Sequence, residues 1–230
     1  VKKFTLIVAG GSGTRMKSTV PKQFLLLRGV PVLMRTLEAF HRFDPDMPLR
    51  VVLPSGMLDN WKELCRKYGF DLYHELGAGG ETRFHSVQKN LHGIADDYLV
   101  AIHDGVRPLV SKDTIGRCFD TAAQLGNAIP CISIPESMRV LTGDRNMPVD
   151  RSRYRLIQTP QVFLAGLLKK AYLQPYQSEF TDDAGVVESL GNQVHLVEGN
   201  PENIKITWKK DLKLAGILLN DVLKQDQYQR

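Results

Sequence analysis

Cysteine is scarce in this chain. Cys65, Cys118 and Cys131 are three, odd in number and far apart in 230 residues. That spacing excludes a disulfide framework, fits no zinc pattern, and predicts reduced core residues of a cytoplasmic protein. No apolar run approaches the roughly 20 residues of a membrane helix, so no membrane partner is expected. No signal-peptide pattern opens the sequence, and a first residue of Val leads us to expect a processed or trimmed chain. Internal repeats, low-complexity tracts and a linker that would split the chain are all missing, which predicts one domain over residues 1–230. A hydrophobic content of 43% excludes a mostly disordered chain. The formal charge is +5 and the pI about 9.1. The cations are nevertheless dispersed and form no basic tract or arm, so we expect a pocket for small polyanions and no nucleic-acid partner. Neither a Ser-His-Asp set nor a pair of catalytic carboxylates stands out.

What is present begins at Val8–Gln23. An apolar run, Phe4–Val8, reads as a buried strand. Gly10, Gly11 and Gly13 then allow the backbone to turn sharply and approach a ligand closely. Arg15 and Lys22 follow, in a loop that Pro21 helps to fix. Loop amides and cations of this kind face the oxygens of a polyphosphate. The P-loop pattern nearly fits from Gly11, with Lys17 and Ser18 in place, but Met16 stands where its second glycine is needed. The dinucleotide pattern also ends on Met16, and Pro21 interrupts the helix it requires.

Strand-like and helix-like segments alternate. Strands are expected at Phe4–Val8, Leu49–Leu53, Leu72–His74, Leu99–His103, Ala128–Ile132, Val194–Val197 and Ile204–Thr207. Helices are expected at Val32–Arg42, Leu58–Tyr68, Arg83–Leu91, Thr114–Leu125, Leu164–Tyr172, Asp183–Leu190 and Asp211–Leu223. Ser55 and Ser111 are candidate caps, and Asp182 and Asp183 suit a helix start. The alternation predicts an α/β fold, a doubly wound and mostly parallel sheet sandwich, with ligands beyond the carboxyl ends of the strands. Ser133–Gln158 breaks the pattern. It reads as a protruding hairpin from Met138–Leu141 through a polar turn to Tyr154–Ile157, and a loop of that length inside a domain is usually functional.

Gly-Gly-Ser-Gly-Thr-Arg-Met from Gly10, followed by Pro21-Lys22-Gln23-Phe24, resembles the signature of nucleotidyltransferases that join a nucleoside triphosphate to a phosphorylated small molecule. Within them the chain is most similar to the 2-C-methyl-D-erythritol 4-phosphate cytidylyltransferases of the non-mevalonate isoprenoid pathway. Further matching segments are Gly80–Val87, His103–Pro108, Val149–Arg151, Gln158–Gln161, Thr181–Ala184, Val197–Gly199 and Asn203–Thr207. They keep the family's order and cover nearly the whole chain. The resemblance implies a Rossmann-like nucleotidyltransferase fold in which the 133–158 arm grips a second subunit of a homodimer.

It also implies the chemistry. A phosphate monoester oxygen would attack the α-phosphorus of CTP and release pyrophosphate. Such a monoester is largely dianionic near neutral pH, so no general base is needed, and catalysis becomes positioning plus electrostatic stabilisation. By resemblance Arg15 and Lys22 stabilise the α-phosphate and the departing pyrophosphate, with Mg²⁺ bridging phosphate oxygens. Ala9, Gly10, Gly11, Gly13, Gly80, Glu81, Arg83, Ser86 and Gly105 are carried over to the nucleotide. Arg151 and Lys205 would position the second substrate, a phosphorylated polyol. Asp104 and Arg107 would face its hydroxyls and phosphate, with Asp104 alternatively reaching Mg²⁺ through water. Thr159 and Thr181 are carried over as hydroxyl donors. The arm has Glu136-Ser137-Met138-Arg139 where the family often has Asp-Thr-Met-Lys. Charge and hydroxyl are kept there on different side chains, and Ser137 is carried over as a substrate contact. Ribitol 5-phosphate cytidylyltransferase is the nearest competing reading. A nucleotide-binding module without activity is another, which the presence of Arg15, Lys22, Arg151 and Lys205 together disfavours.

Overall fold

The computed structural model describes residues 1–11 and 20–228, with side chains as far as residue 220. In chain order the strands are β1 (Lys3–Val8), β2 (Leu26–Leu27), β3 (Val30–Pro31), β4 (Leu49–Leu53), β5 (Glu75–Ala78) and β6 (Leu99–Asp104). They continue with β7 (Asn127–Ile132), β8 (Met138–Thr142), β9 (Arg145–Val149), β10 (Leu156–Ile157), β11 (Gln161–Leu164) and β12 (Leu196–Glu198). The helices are α1 (Val32–Phe43), α2 (Leu58–Tyr68), α3 (Arg83–Asn90), α4 (Lys112–Leu125), α5 (Ala165–Ala171), α6 (Asp183–Glu188) and α7 (Lys209–Tyr228).

The main sheet runs β10-β7-β11-β6-β1-β4-β5, with β12 also paired to β7. Both of its faces are covered, which is why its central strands read as unbroken apolar runs. In β1, Ile7 packs with α1, α2 and α4, whereas Phe4 and Leu6 pack with α3, α5 and α6 on the other face. Every residue of β6 is buried. A smaller cluster joins Leu27, Val32, Val106, Leu109 and Ile206 to Ala215 and Leu219 of α7. The α/β doubly wound expectation therefore holds, with one modification: β11 lies antiparallel between β6 and β7, and β10 is antiparallel to β7.

Several local expectations shift. The strand expected at Leu72–His74 forms instead at Glu75–Ala78, where it pairs with Arg50–Leu53. Tyr73 is exposed, and His74 is drawn off to accept a hydrogen bond from the Trp61 indole. The strand expected at Ile204–Thr207 has no ladder, although the Ile206 amide bonds the Val106 carbonyl. The helix expected from Leu164 is preceded by β11, whose backbone is claimed by both neighbouring strands. Ser111 caps α4 through the Thr114 amide and Asp182 caps α6 through the Gly185 amide. Ser55 instead opens a short 3-10 turn and makes no side-chain cap. The arm hairpin closes earlier than expected: β8 pairs with β9 around Gly143-Asp144, while Leu156–Ile157 returns to the main sheet beside β7.

Candidate active site

β1, β4, β5 and β6 are parallel, so their carboxyl ends share one edge of the sheet. Register brings them level. Val8 lies beside Val52 and Asp104, and Leu53 beside Ala78. Where these strands end, the chain departs through Ala9-Gly10-Gly11, Gly79-Gly80-Glu81 and Gly105. A cleft opens between these turns.

The glycines serve two different needs. A Cβ at Gly80 would lie 2.6 Å from the Cβ of His85, and one at Gly105 would lie 2.8 Å from the Cβ of Ala9. These two positions are closed by the protein's own packing. Among the described residues, a Cβ at Gly10 would meet Ser86 Oγ at 4.0 Å, and one at Gly11 would meet Lys22 Cε at 3.5 Å and Nζ at 4.0 Å.

Of the predicted nucleotide residues, Ala9, Gly10, Gly11, Gly80, Glu81, Arg83 and Ser86 all line the cleft, together with Lys22, Asp104 and Lys205. Gly105 is buried against Ala9. Gly13 and Arg15 lie outside the described residues. The Ser86 hydroxyl accepts from the Gly80 amide at 3.0 Å and donates to the Thr82 carbonyl at 2.8 Å, so it shapes the turn it faces. Thr82 caps α3 through the His85 amide.

Asp104 is the electrostatic centre. Its Oδ2 accepts from Arg107 Nε at 3.0 Å and lies 3.1 Å from Lys205 Nζ. Burial works to raise the Asp104 pKa, but Lys205, Arg83 and Arg107 outweigh it and hold the carboxyl well below its usual range. Asp104 is therefore ionised, and it gathers the cations of the cleft around one point. Beneath it, His103 is fully buried. Its Nε2 donates to the Arg107 carbonyl at 3.0 Å, so its Nδ1 accepts from the Thr159 hydroxyl at 3.0 Å. Thr159 in turn accepts from the Asp104 amide at 3.1 Å. Burial lowers the His103 pKa to about 4, so the ring stays neutral in this arrangement.

Thr159 is thus placed inside the floor, with its hydroxyl engaged by His103 and Asp104. Ser137 and Thr181 are exposed and do not line the cleft. Arg151 is also exposed, donating to the Pro135 carbonyl at the base of the arm. Within one chain, then, Lys205 lines the cleft, Arg107 reaches it only through Asp104, and Arg151 does not line it.

Sequence reasoning missed three participants. Gln23 is buried in the cleft wall and its Nε2 donates to the Ala9 carbonyl at 2.9 Å, tying the Lys22 turn to the glycine loop. His103 is the second; its signal was its place beside Asp104. The third is Asp183, read only as a helix start, which forms a bidentate ion pair with Arg83 at 2.7 and 2.5 Å.

Glycine turns and gathered cations at the carboxyl edge of a doubly wound sheet are the features of a nucleotide-binding site. Residues 4–221 match the family model described as IspD, 2-C-methyl-D-erythritol 4-phosphate cytidylyltransferase. The chain belongs to that family. It is 56% identical over 214 residues to the 2-C-methyl-D-erythritol 4-phosphate cytidylyltransferase of Bacteroides fragilis, covering 93% of this chain and 98% of the relative. The Porphyromonas gingivalis protein of the same name is 52% identical over 220 residues, covering 95% and 98%. Among solved structures, the enzyme of that name from Thermus thermophilus has a TM-score of 0.77 at 32% identity, covering 95% of this chain and 98% of the other. The 4-diphosphocytidyl-2C-methyl-D-erythritol synthase of Anaerococcus prevotii has a TM-score of 0.80 at 25% identity, covering 95% and 96%.

Proposed function

We propose that this chain transfers CMP from CTP to 2-C-methyl-D-erythritol 4-phosphate, giving 4-diphosphocytidyl-2-C-methyl-D-erythritol and pyrophosphate in isoprenoid precursor biosynthesis. The observation that carries this reading is the cleft lined by Lys22, Arg83 and Lys205 and by ionised Asp104, between backbone turns of glycine. A phosphate oxygen of the second substrate forms the new bond to the α-phosphorus as the bond to the β-phosphate bridging oxygen breaks. Lys22, with Arg15, offsets the charge on the transferring group and the leaving pyrophosphate. Ala9, Gly10, Gly11, Gly80, Glu81, Arg83, Ser86 and Gly105, with Gly13, hold the nucleotide. Lys205, Arg107 and Asp104 meet the second substrate from the floor, with Thr159 positioning Asp104.

Mg²⁺ fits this set. Among the described residues no group of three or more His, Cys, Asp or Glu side chains gathers into a protein-built metal cage. An ionised carboxylate beside a polyphosphate suits a hard cation held mainly by phosphate oxygens. Bound there, Mg²⁺ supplies charge neutralisation across those oxygens.

The protein acts as a homodimer in the cytoplasm in this reading. Supporting the first point, Arg151 and Ser137 of the arm do not line their own chain's cleft, and the arm exposes Val140, Leu141 and Met147. Each cleft is then completed by the neighbour's arm, which brings its Arg151 and Ser137. Supporting the second, all three cysteines are free, and no helix of the described residues is long and apolar enough to cross a membrane. Pyrophosphate release measured with CTP, against methylerythritol phosphate and ribitol 5-phosphate in parallel, tests the reaction. Release with the first and little with the second is expected, and excess chelator should abolish it. Preference for ribitol 5-phosphate would overturn the substrate, and full turnover in chelator would overturn the metal.

A further inference from the structure

Arg83 opens α3 at the edge of the cleft, on a long side chain that would by itself sample many rotamers. Its guanidinium is instead forked onto one carboxylate. Nη1 donates to Asp183 Oδ1 at 2.7 Å and Nη2 to Oδ2 at 2.5 Å. Two of its five N–H donors are used there, and among the described residues no other hydrogen bond engages the rest. The fork fixes the plane of the group and leaves its remaining edge for the cleft.

Asp183 is held as firmly as it holds. It is wholly buried, and the Tyr172 hydroxyl donates to its Oδ1 at 2.5 Å. Burial and the adjacent carboxylate push the Tyr172 phenol well above its usual value, which keeps it a donor. The helix that carries Asp183 is anchored from the sheet. Gln161 of β11 donates to Asp182 Oδ2 at 2.8 Å and accepts from the Ala184 amide at 2.9 Å. From the other side, Gln88 of α3 donates to the Tyr172 carbonyl at 2.5 Å. A line of contacts therefore runs from β11 through the start of α6 to the guanidinium at the cleft. No part of it touches the cleft except Arg83.

We propose that Asp183, braced by Tyr172, is a positioning residue of the nucleotide site, and that it acts by presenting Arg83 to CTP in one orientation. This rests on the reading of Arg83 as a nucleotide contact. A purely structural ion pair would serve folding and leave nucleotide affinity alone. The proposal makes the opposite demand.

The test measures CTP affinity by titration calorimetry, steady-state kinetics for both substrates, and thermal stability. Three variants are compared with the wild type. Asp183→Asn keeps the shape and weakens the fork. It should raise the CTP dissociation constant about tenfold, with KM for the second substrate within about twofold and kcat at saturating CTP little changed. Tyr172→Phe removes one hydroxyl and should give a smaller change of the same kind, about two- to threefold. Because it is the milder change, it keeps the question answerable if Asp183→Asn does not fold. Lower melting temperatures with unchanged CTP affinity in the folded variants would overturn the proposal. Arg83→Met combined with Asp183→Asn removes both charges and separates the two readings. If the double variant binds CTP weakly while Asp183→Asn binds it normally, Arg83 contacts the nucleotide without help and only the positioning role fails. If the double variant binds CTP as the wild type does, the nucleotide role of Arg83 fails, and the positioning role with it.

Discussion

The floor of the cleft and the arm contrast in how they are satisfied. In the floor, His103, Thr159 and Asp104 are 0%, 5% and 7% exposed, and their side-chain polar atoms engage one another, Arg107 or Lys205. In the arm, β8 and β9 pair only with each other, and Leu141 and Met147 are 76% and 58% exposed. A two-stranded hairpin with bare apolar side chains is marginal in water. The floor is therefore complete within one chain, whereas the arm has its backbone bonds and lacks a cover. A residue in the floor reports on this chain's own chemistry. A residue at the arm's base, such as Arg151, reports on whatever the arm lies against.

The largest expected effect belongs to the cleft. Lys22→Ala should lower turnover on the order of 100- to 1,000-fold and weaken CTP binding far less, because the lost donor meets charge that develops during transfer. Near-normal turnover with poor CTP affinity would make Lys22 a binding residue only.

His103 probes the floor by pH. Its folded pKa of about 4 lies below the unfolded value near 6.5, so the unfolded chain binds the extra proton between these pH values. The stabilisation is then complete above about 6.5 and is withdrawn as pH falls towards 4, by on the order of 3 kcal/mol. Denaturant titrations should show this slope in the wild type and a flatter one in His103→Gln. Parallel curves for the two proteins would mean that the neutral ring is not what links the floor to acid.

Arg151 sharpens the contrast from the arm's side. Arg151→Ala should reduce kcat/KM for the second substrate roughly ten- to a hundredfold and leave CTP affinity near normal. In the proposed homodimer, mixing Lys22→Ala with Arg151→Ala chains should then restore roughly a quarter of wild-type sites, since half the dimers would be mixed and each would have one intact cleft. Purified mixed dimers with no recovered activity would show that each arm serves its own chain.

The smallest effect is expected far from both regions. Ser111→Ala removes the cap of α4 and should cost about 1 kcal/mol in stability with unchanged kinetics. A kinetic change there would mean that the floor is not insulated from α4. The route for such coupling is Asn200, which accepts from both Thr114 and Ser111.

Much of this protein was legible in its amino-acid order. Apolar runs such as Phe4–Val8 identify buried strands, because a sheet covered on both faces needs no polar alternation. Gly10, Gly11 and Lys22 were legible because polyphosphate chemistry demands glycine turns and cations, whereas Asp104 and Lys205 were carried over from the family resemblance. Their arrival at one cleft follows from the parallel sheet. The sequence also marked Ser111 as a cap and Asp182 as a helix start, since both are local and need only the next turn of helix, whereas the cap read at Ser55 did not form. Position in three dimensions decided the rest. Glu75–Ala78 became the strand in place of Leu72–His74 because Arg50–Leu53 offered its ladder there and Trp61 claimed His74. Thr159 met His103 across 56 positions, and Asp183 met Arg83 across 100. Composition and spacing act over a few residues, whereas a buried hydrogen bond or ion pair depends on which distant segments the fold sets side by side. That is why the cations could be read from the chain, and their partners only from its tertiary structure.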